Sequence, residues 1–274
     1  MTNTSDTFWS ADGVSLQTYA HNIETLDITT APPPYRGSDI TIPYVPGQRW
    51  VPKQADSRTI PLAMWVRDID DNGNTPSNRQ NGFDDNWRAL RNLLWAPGRQ
   101  IALKKQFKVG GVLRSATAMA EFAGGLEPKK IGRFAGKFVV DLKLADPYFY
   151  DDELKTFTLV NGDQAITVQG DAETARVNLT INGARTNAII MNKSLGMQVE
   201  YHDALLTGDI AQIDVQAFSA TTSPSGKPSF KSSGKIRHTG AAQWLTIKPG
   251  TNTVNLASSF GAGTVSLQVR GAWL

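Results

Sequence analysis

Residues 68–73 have the residue types that open a calcium-binding loop. Their sequence, Asp-Ile-Asp-Asp-Asn-Gly, places carboxylates and an amide at alternate positions, with a glycine that permits a bend. Such a loop requires a bidentate glutamate at its twelfth position, and that position is Arg79. The run 59–66, which leads into the segment, has the pattern of a strand rather than a flanking helix. We therefore interpret the segment as a polar loop and predict neither a metal site nor a cofactor.

Paired carboxylates and histidines are the other candidates for catalysis. Asp84 and Asp85 open a helical pattern and are interpreted as a helix cap, and residues 151–153 are interpreted as a solvated acidic run. General acid–base chemistry needs carboxylates on opposite sides of a substrate, which this spacing does not support. The three histidines are far apart in the chain and lack partners at ligand spacing: His21, His202 and His238. We predict that the protein is not an enzyme.

Basic residues cluster around a predicted hairpin and the loop that follows it. They are Lys104, Lys105, Lys108, Arg114, Lys129, Lys130, Arg133 and Lys137. Such residues can form a solvated face, or they can line a channel through which DNA passes if the chain assembles into a ring. For the second alternative, the channel-lining residues are Lys104, Lys105 and Lys108.

Four rings in the second half of the chain could contact a sugar: Tyr201, His202, Trp244 and Trp273. Aromatic rings with polar neighbours can stack on carbohydrate, but in a β-sandwich they more often belong to the core or to an interface. We favour the structural alternative.

Composition sets the limits of these interpretations. With 274 residues, 40% of them hydrophobic and seven Trp, the chain can form one large or two ordinary domains. It has no Cys, no apolar run of membrane-spanning length and no signal at its polar N-terminus. We expect a protein made in the cytoplasm without a membrane anchor. A net charge of +3 is low for a dedicated duplex-DNA binder.

The first half of the chain reads as strands with a single helix. The helix is predicted from Asp84 or Asp85 to about Trp95, where Pro97 and Gly98 end it. Its apolar face recurs with the helical period: Phe83, Trp87, Leu90, Leu93 and Leu94. Strands are predicted over 59–66, with Pro61 at an edge position, over 134–144, and over 101–107 and 114–122, which Gly110 and Gly111 join as a hairpin.

The composition changes after residue 152. Short strands separated by Asn-Gly and Pro-Gly turns are typical of a β-sandwich. The Ser-, Gly- and Lys-rich segment 220–235 is predicted to be a long mobile loop. Residues 145–150, Ala-Asp-Pro-Tyr-Phe-Tyr, are expected to pack at the junction of two domains. We predict a mainly β protein with domains 1–152 and 153–274.

A Pro-rich arm lies near the N-terminus, at residues 31–37, and the segment 39–51 that follows it contains further prolines. Proline at this density disfavours regular strand pairing, so we expect an extended excursion that does not fold on itself and that meets a partner subunit. The residues assigned to this interface are Pro32, Pro33, Pro34, Tyr35, Arg36, Arg49 and Trp50.

The order of the signals carries a family resemblance. In chain order they are 12–16 (Asp-Gly-Val-Ser-Leu), the arm 32–37, 42–47 (Ile-Pro-Tyr-Val-Pro-Gly), 58–62 (Arg-Thr-Ile-Pro-Leu), 87–94 (Trp-Arg-Ala-Leu-Arg-Asn-Leu-Leu), 136–138 (Gly-Lys-Phe) and 146–150 (Asp-Pro-Tyr-Phe-Tyr). This order, over essentially the whole chain, resembles the distal tail proteins of long-tailed (siphovirus) bacteriophages. The segment 220–235 is a departure from the family pattern.

The resemblance implies a structural protein of the virion, at the tail tip or baseplate. Its first domain would form a homo-hexameric ring and dock on the tail tube protein. Its second domain would be a galectin-like β-sandwich that projects outward. The ring would join the tube to the tail-tip proteins and leave a channel that genomic DNA passes through without specific binding.

Two alternatives from other functional classes remain open. The first is a carbohydrate-binding tail accessory protein whose second domain attaches to host cell-wall glycan. The second is a tail-associated enzyme that hydrolyses the cell wall.

Overall fold

The computed structural model describes residues 8–24, 32–41, 43–44, 46–49, 51, 53–237, 244–261 and 263–274. The chain divides into two compact units, residues 1–149 together with Leu274, and residues 150–273. The prediction placed this division after residue 152. Strands make up 55% of the structure and one α-helix is present in its described part, which confirms a mainly β fold. None of the described helices has the length and apolar character needed to cross a membrane.

The first unit is built on an antiparallel sheet. The strands of the first unit are β1 (Phe8–Ala11), β2 (Val14–Ser15), β3 (His21–Ile23), β4 (Tyr35–Arg36), β5 (Ile40–Thr41), β6 (Gln48–Arg49), β7 (Gln54–Ala55), β8 (Arg58–Arg67), β9 (Ile101–Val109), β10 (Val112–Gly125), β11 (Lys129–Gly132) and β12 (Ala135–Leu144). The order in the sheet is β2-β1-β9-β10-β12-β8-β3, with β11 beside β12. β9 and β10 form the predicted hairpin, and Gly110 and Gly111 supply the positive φ angles of its turn.

Pro61 illustrates how the sheet accommodates proline. It lies in β8, whose neighbours are β12 and β3. The pairing with β3 covers only residues 64–66 of β8, so the part of the strand that contains Pro61 is not paired on that side by β3. Proline lacks a backbone donor, and it is accommodated where no ladder bond is required.

The core of the first unit lies between the sheet and helix α1 (Arg79–Leu94). β8 alternates strictly and buries Ile60, Leu62, Met64 and Val66, while α1 packs against this strand and buries Phe83, Leu90 and Leu94. The Trp87 ring meets the Phe138 ring of β12 edge to face, with 5.1 Å between centroids. The predicted helix face is therefore confirmed in Phe83, Leu90 and Leu94, whereas Trp87 and Leu93 are only partly buried.

The helix starts five residues earlier than the sequence indicated. Asn78 is the N-cap, and its side chain accepts a hydrogen bond of 3.2 Å from the backbone N–H of Asn81. Asp84 and Asp85 lie in the second turn, so their interpretation as a cap was wrong. The first turn contains Gly82, a poor helix former, which hid the true start from a propensity argument.

Gly82 is required by a close approach of the helix to the loop before it. A Cβ at this position would lie 2.6 Å from the backbone oxygen of Asp68 and 2.6 Å from Cγ of Pro76. We expect Gly82→Ala to lower the free energy of unfolding by ~1–3 kcal/mol because of this overlap. The intrinsic helix propensity alone would raise it by about 1 kcal/mol. Chemical denaturation shows whether the free energy of unfolding of Gly82→Ala falls, as the overlap predicts, or rises, as the helix propensity predicts.

Gly132→Ala is the matched control for that measurement. A Cβ added at Gly132 would meet no heavy atom within 4 Å, and the φ angle of this residue is an ordinary one. We expect the free energy of unfolding of this variant to stay within about 0.5 kcal/mol of the parent value. A stabilised Gly82→Ala variant would show that the loop moves away from the helix at little cost.

The second unit is a sandwich of two antiparallel sheets. Its strands are β13 (Phe149–Asp151, which begins one residue before the division), β14 (Lys155–Leu159), β15 (Gly162–Val168), β16 (Val177–Asn182), β17 (Arg185–Asn192), β18 (Met197–Leu205), β19 (Ile210–Asp214), β20 (Ser219–Ser223), β21 (Phe230–Lys231), β22 (Ile236–Arg237), β23 (Gly250–Ala257), β24 (Phe260–Gly261), β25 (Val265–Val269) and β26 (Ala272–Trp273). One sheet has the order β14-β25-β16-β19-β20-β21, and the other β15-β23-β17-β18-β22, with β24 on β17. β13 and β26 pair with each other and belong to neither of these two sheets. Residues of both sheets form a single buried cluster, as in other sandwiches. A specific likeness to galectins stays a prediction.

The segment 220–235 is ordered, which corrects the prediction of a long mobile loop. It contains most of β20, all of β21 and a 3₁₀ turn at Ser233–Lys235. The Tyr201 hydroxyl lies 2.6 Å from the Thr222 hydroxyl, and Thr222 donates to Ser232 over 2.8 Å, all three side chains being buried. These hydroxyls satisfy one another, and so a segment of polar composition can pack on the core.

The two aromatic residues on either side of the division, Phe149 and Tyr150, are buried. In the first unit, the Phe149 ring meets the Trp9 ring edge to face at 5.7 Å. In the second unit, the Tyr150 ring lies under the guanidinium of Arg176 at 3.8 Å. Each ring therefore belongs to the packing of its own unit and is not part of an exposed linker.

Candidate functional site

The Pro-rich arm and the segment that follows it form one β-hairpin, and the word arm refers to this whole hairpin from here on. β4 pairs antiparallel with β7, and β5 pairs antiparallel with β6, so that the described residues between 35 and 55 form two antiparallel arms of one hairpin. Among the described strands, these four pair only with one another. The expectation that the arm does not fold on itself was wrong, because its described prolines lie outside the short paired stretches and leave their ladder bonds intact.

Side chains and backbone groups fasten the hairpin along its length. The Asp56 N–H donates to the Pro34 carbonyl over 2.7 Å, and Arg36 donates to the Gln54 side chain over 2.7 Å. Asp39 accepts from the Val51 N–H at 3.3 Å and pairs with the Lys53 ammonium at 3.4 Å. A two-stranded ribbon is only marginally stable by itself in water. The hairpin therefore gains from any surface that covers it.

The arm exposes large apolar side chains. Tyr35 is 72% exposed, Ile40 is 52% exposed, and Tyr44 at the turn is fully exposed. The residues assigned to a subunit interface are exposed at Pro32, Pro34, Tyr35, Arg36 and Arg49 and buried at Pro33, while Trp50 lies outside the described residues. A hairpin that exposes three large apolar side chains is a candidate interaction surface. Tyr44 and Ile40 were not assigned from the sequence, although their type and flanking prolines could have indicated them.

The basic hairpin places its three assigned lysines in different environments. Lys108 is exposed near the β9–β10 turn and Lys104 is partly exposed. Lys105 is 6% exposed, its ammonium lies 4.6 Å from the centroid of the Phe149 ring, and it hydrogen-bonds the backbone oxygen of Leu274. Of the three lysines assigned to a channel lining, only Lys104 and Lys108 are accessible enough to line a channel. Lys105 contributes to the fold of the first unit.

The loop that resembled a calcium site is closed by its own side chains. Asp68 pairs with the guanidinium of Arg79, the residue that stands where calcium would need a glutamate. Asp70 accepts from the N–H groups of Asn72 at 3.0 Å and Asn74 at 2.7 Å. No group of three or more metal-ligating side chains occurs in the part of the chain that the structure describes. This arrangement is that of a polar loop, as the sequence indicated.

Asp68 gives the first unit a pH-dependent contact. The hydrogen bond from Arg79 lowers the pKa of Asp68, although burial opposes it. A carboxyl group whose pKa is lower in the folded state stabilises the fold above its ordinary pKa, about 3.9, and loses this contribution as the pH falls below that value. We expect Asp68→Asn to lower the melting temperature at pH 7 and to have a smaller effect near pH 3.

Thermal melts at both pH values test this expectation, with Asp71→Asn as the control for removing one exposed carboxylate from the same loop. A deficit of Asp68→Asn that is the same at pH 7 and pH 3 would show that the lost contact is not the ionised pair.

The remaining catalytic candidates do not converge. In the second unit, the buried Asp151 accepts a hydrogen bond of 2.7 Å from the indole N–H of Trp273, which makes it a structural group rather than a solvated one. His21 is buried in the first unit and lies 2.9 Å from the Ser15 carbonyl through Nε2. His202 is exposed and lies 3.0 Å from Glu200. His238 is outside the described residues.

The aromatic residues considered for sugar stacking belong mostly to the core of the second unit. Tyr201 is 1% exposed and Trp273 is 3% exposed. Trp244 is partly buried and packs against the core cluster. The structural alternative favoured from the sequence agrees with this burial, and only His202 of the four is exposed.

Comparison with known proteins identifies the fold. No protein-family model matches the chain, and no curated protein matches it by sequence. Among solved structures, the Dit protein of phage SPP1, described as a paradigm of the hub adsorption apparatus in phages that infect Gram-positive bacteria, aligns with a TM-score of 0.64 and 11% identity over 98% of this chain and 99% of its own. The chain therefore has the fold of a phage distal tail protein, as the resemblance in sequence implied.

Two phage P2 baseplate structures in the activated conformation align less well. The structure with Ca has a TM-score of 0.45 and 8% identity over 97% of this chain and 98% of its own. The structure with Sr has a TM-score of 0.41 and 8% identity over 95% and 97% of the two chains.

Proposed function

We propose that this protein is a structural component of a phage tail tip, where it forms a hexameric ring that joins the tail tube to the tail-tip or baseplate proteins. The observation that carries the proposal is the end-to-end correspondence with SPP1 Dit, which covers 98% of this chain and 99% of that one. Both units of the chain take part in that correspondence. A shared fold alone does not fix a function, so the proposal also needs a surface suited to assembly.

The exposed arm supplies such a surface. A ring arises when one patch of a subunit contacts a different patch of the next and the rotation closes. The arm leaves Tyr35, Ile40 and Tyr44 exposed. Its strands pair with no other described strand, so it is able to reach across to a neighbour. In the proposed ring, the arm of each subunit lies on the next subunit and buries these side chains.

A passage for DNA is the second part of the proposal. Lys104 and Lys108 of the basic hairpin would face the opening of the ring. Weak positive potential at the wall holds the phosphate backbone loosely, because screening by salt limits the attraction to short distances. DNA would pass through without specific binding, in accord with the net charge of only +3.

We propose no catalytic activity for the chain. The carboxylates and histidines considered from the sequence are engaged in local structure or stand apart, within the described residues. Purified protein should therefore leave cell-wall preparations intact.

Size-exclusion chromatography with light scattering tests the proposed assembly. Six copies of the 29.8 kDa chain have a mass of about 179 kDa. We expect this mass for the parent protein. A monomer or dimer at micromolar concentration would contradict the proposal. Co-purification with the tail tube protein of the same phage tests the proposed docking partner independently.

A further inference from the structure

A depression lies on the surface of the first unit, beside the turn that joins helix α1 to β9. Its volume is about 490 Å³, which is within the range of pockets that enclose a ligand. All of its lining residues belong to the first unit: Ala96, Pro97, Gly98, Arg99, Gln100, Glu121 and Phe122. None of the described arm residues is among them, so the arm of the same chain does not occupy the depression.

Local hydrogen bonds hold the walls of the depression. The Arg99 N–H donates to the Ala96 carbonyl over 3.3 Å and closes the turn that follows the helix. The Arg99 guanidinium donates to Asp12 over 2.5 Å, and Asp12 also accepts from the Ala102 N–H over 2.8 Å. The depression is therefore formed before anything binds to it, and a preformed site binds with a smaller ordering cost.

The lining has an apolar part and a polar part. The apolar part consists of Ala96, Pro97 and Phe122. The polar part consists of the guanidinium of Arg99, the amide of Gln100 and the carboxylate of Glu121. A tyrosine side chain matches such a lining, because its ring is apolar and its hydroxyl both donates and accepts hydrogen bonds. A guanidinium plane also stacks favourably on an aromatic face.

Tyr44 is the tyrosine that the arm presents at its tip. It lies in the turn between β5 and β6 and is fully exposed. Its φ of 63° is in the left-handed region, which is unfavourable for a bulky residue. Residues held in such sparsely populated backbone conformations cluster at functional contacts. The arm therefore projects a large ring into solvent from a strained position, where only a second molecule can cover it.

The arm and the depression occupy different places on the first unit. The arm joins the sheet at the start of β8, and the depression lies at the start of β9, with β12 and β10 between these two strands. From Tyr35 to Tyr44 the arm spans ~30 Å when extended, about the diameter of a small domain. Contacts between two different patches of a subunit generate a ring when the rotation closes. The arm and the depression are two such patches.

We infer that Tyr44 at the tip of each arm inserts into this depression on the next subunit. The inference rests on the proposed ring and names the site at which one subunit receives the arm of its neighbour. In the ring, the Tyr44 side chain packs against Pro97 and Phe122, and its hydroxyl donates to Glu121. The depression is complete only when a second copy of the chain contributes this side chain.

Site-directed cross-linking tests the contact. The chain contains no Cys, so the engineered thiols are the only ones present. Pro43→Cys combined with Gln100→Cys is treated with a short bis-maleimide and analysed on a denaturing gel. Pro43 is exposed beside Tyr44, so this change leaves the Tyr44 ring in place. We expect a ladder of covalent species that extends to six chains, whereas each single variant has one thiol per chain and cannot exceed a dimer.

Pro43→Cys combined with Lys130→Cys is the matched control. Lys130 is exposed and pairs with Gly136 of β12, whereas Glu121 of the depression pairs with Lys143 of the same strand. The stretch of β12 between Gly136 and Lys143 separates the two positions by about 23 Å. We expect no ladder from the control variant.

Tyr44→Ala provides a second measurement that needs no cross-linker. Its fold should be that of the parent, because the side chain is fully exposed in the single chain. In a dilution series followed by light scattering, we expect its hexamer to dissociate at a protein concentration at least ~tenfold higher than that of the parent, as for other buried aromatic contacts. Tyr44→Phe keeps the ring and should remain close to the parent.

The outcomes separate this inference from the proposed ring. A hexameric double variant that gives no ladder from positions 43 and 100 would overturn the docking site and leave the ring intact. An equal ladder from the control variant, or dissociation of Tyr44→Ala at the same concentration as the parent, would overturn the docking site as well. A parent protein that is monomeric at every concentration would overturn the ring and the docking site together.

Discussion

Replacement of residues 36–54 by a Gly-Ser linker should convert the hexamer into a folded monomer. Tyr35 and Ala55 are partners in the register of β4 and β7, so two residues are enough to connect them without distorting the first unit. The deletion removes the exposed Ile40 and Tyr44 together with the whole ribbon. A ring held by this contact at six equivalent places has no other described ribbon to replace it. Light scattering should report the mass of one shortened chain, slightly below the 29.8 kDa of the full chain.

Leu206→Ser is the matched control for the arm. Leu206 is an exposed apolar residue, 71% accessible, in the second unit. Its removal should leave the mass of the assembly unchanged. Circular dichroism of the arm deletion should retain the β signal and the cooperative melt of the parent. If the shortened protein remained hexameric, the arm would not be the contact that closes the ring.

Leu90→Ala should destabilise the first unit by ~2–5 kcal/mol, as large-to-small changes in cores do. Leu90 is 2% exposed and lies on the face of α1 that packs against β8. The helix is the only α-helix among the described residues, so no second helix is available there to fill the space. Chemical denaturation of the full chain should show this loss in the transition that unfolds the first unit.

Arg88→Ala serves as the control on the same helix. Its side chain is 64% exposed and pairs with Asp85 at 3.2 Å across one turn. Exposed pairs of this type contribute about 0.3–0.5 kcal/mol, so the two variants should differ by several-fold in their effect. Equal stability of Leu90→Ala and the parent would mean that another face of the helix is buried.

The regular spacing of hydrophobic residues along the chain made the fold class and most of the strands of the first unit predictable. β8 and β12 alternate without interruption, and Gly110 and Gly111 mark the turn of the β9–β10 hairpin. The start of α1 was not predictable in this way. Gly82 and Asn81 have low helix propensity, and the packing against the Asp68 carbonyl that demands a glycine is a tertiary contact.

Polar segments were the least predictable parts of the chain. The arm was expected to stay extended, but Asp39 and Arg36 supply hydrogen bonds that close it on itself. The segment 220–235 was expected to be mobile, but Thr222 and Ser232 are buried against the hydroxyl of Tyr201. Composition does not reveal which hydroxyls find partners, because those partners are distant in sequence.

The candidate surfaces were predictable to different degrees. Proline content indicated the arm, and clustered lysines indicated the hairpin, though burial separates Lys105 from Lys104 and Lys108.

Electron microscopy of the purified protein in negative stain tests the central claim most directly. We expect particles with six-fold symmetry and a central opening in the class averages. The arm deletion, prepared in parallel, should give small particles without symmetry. Parent particles that are uniformly the size of one chain, or closed assemblies of another symmetry, would contradict the proposed hexameric hub.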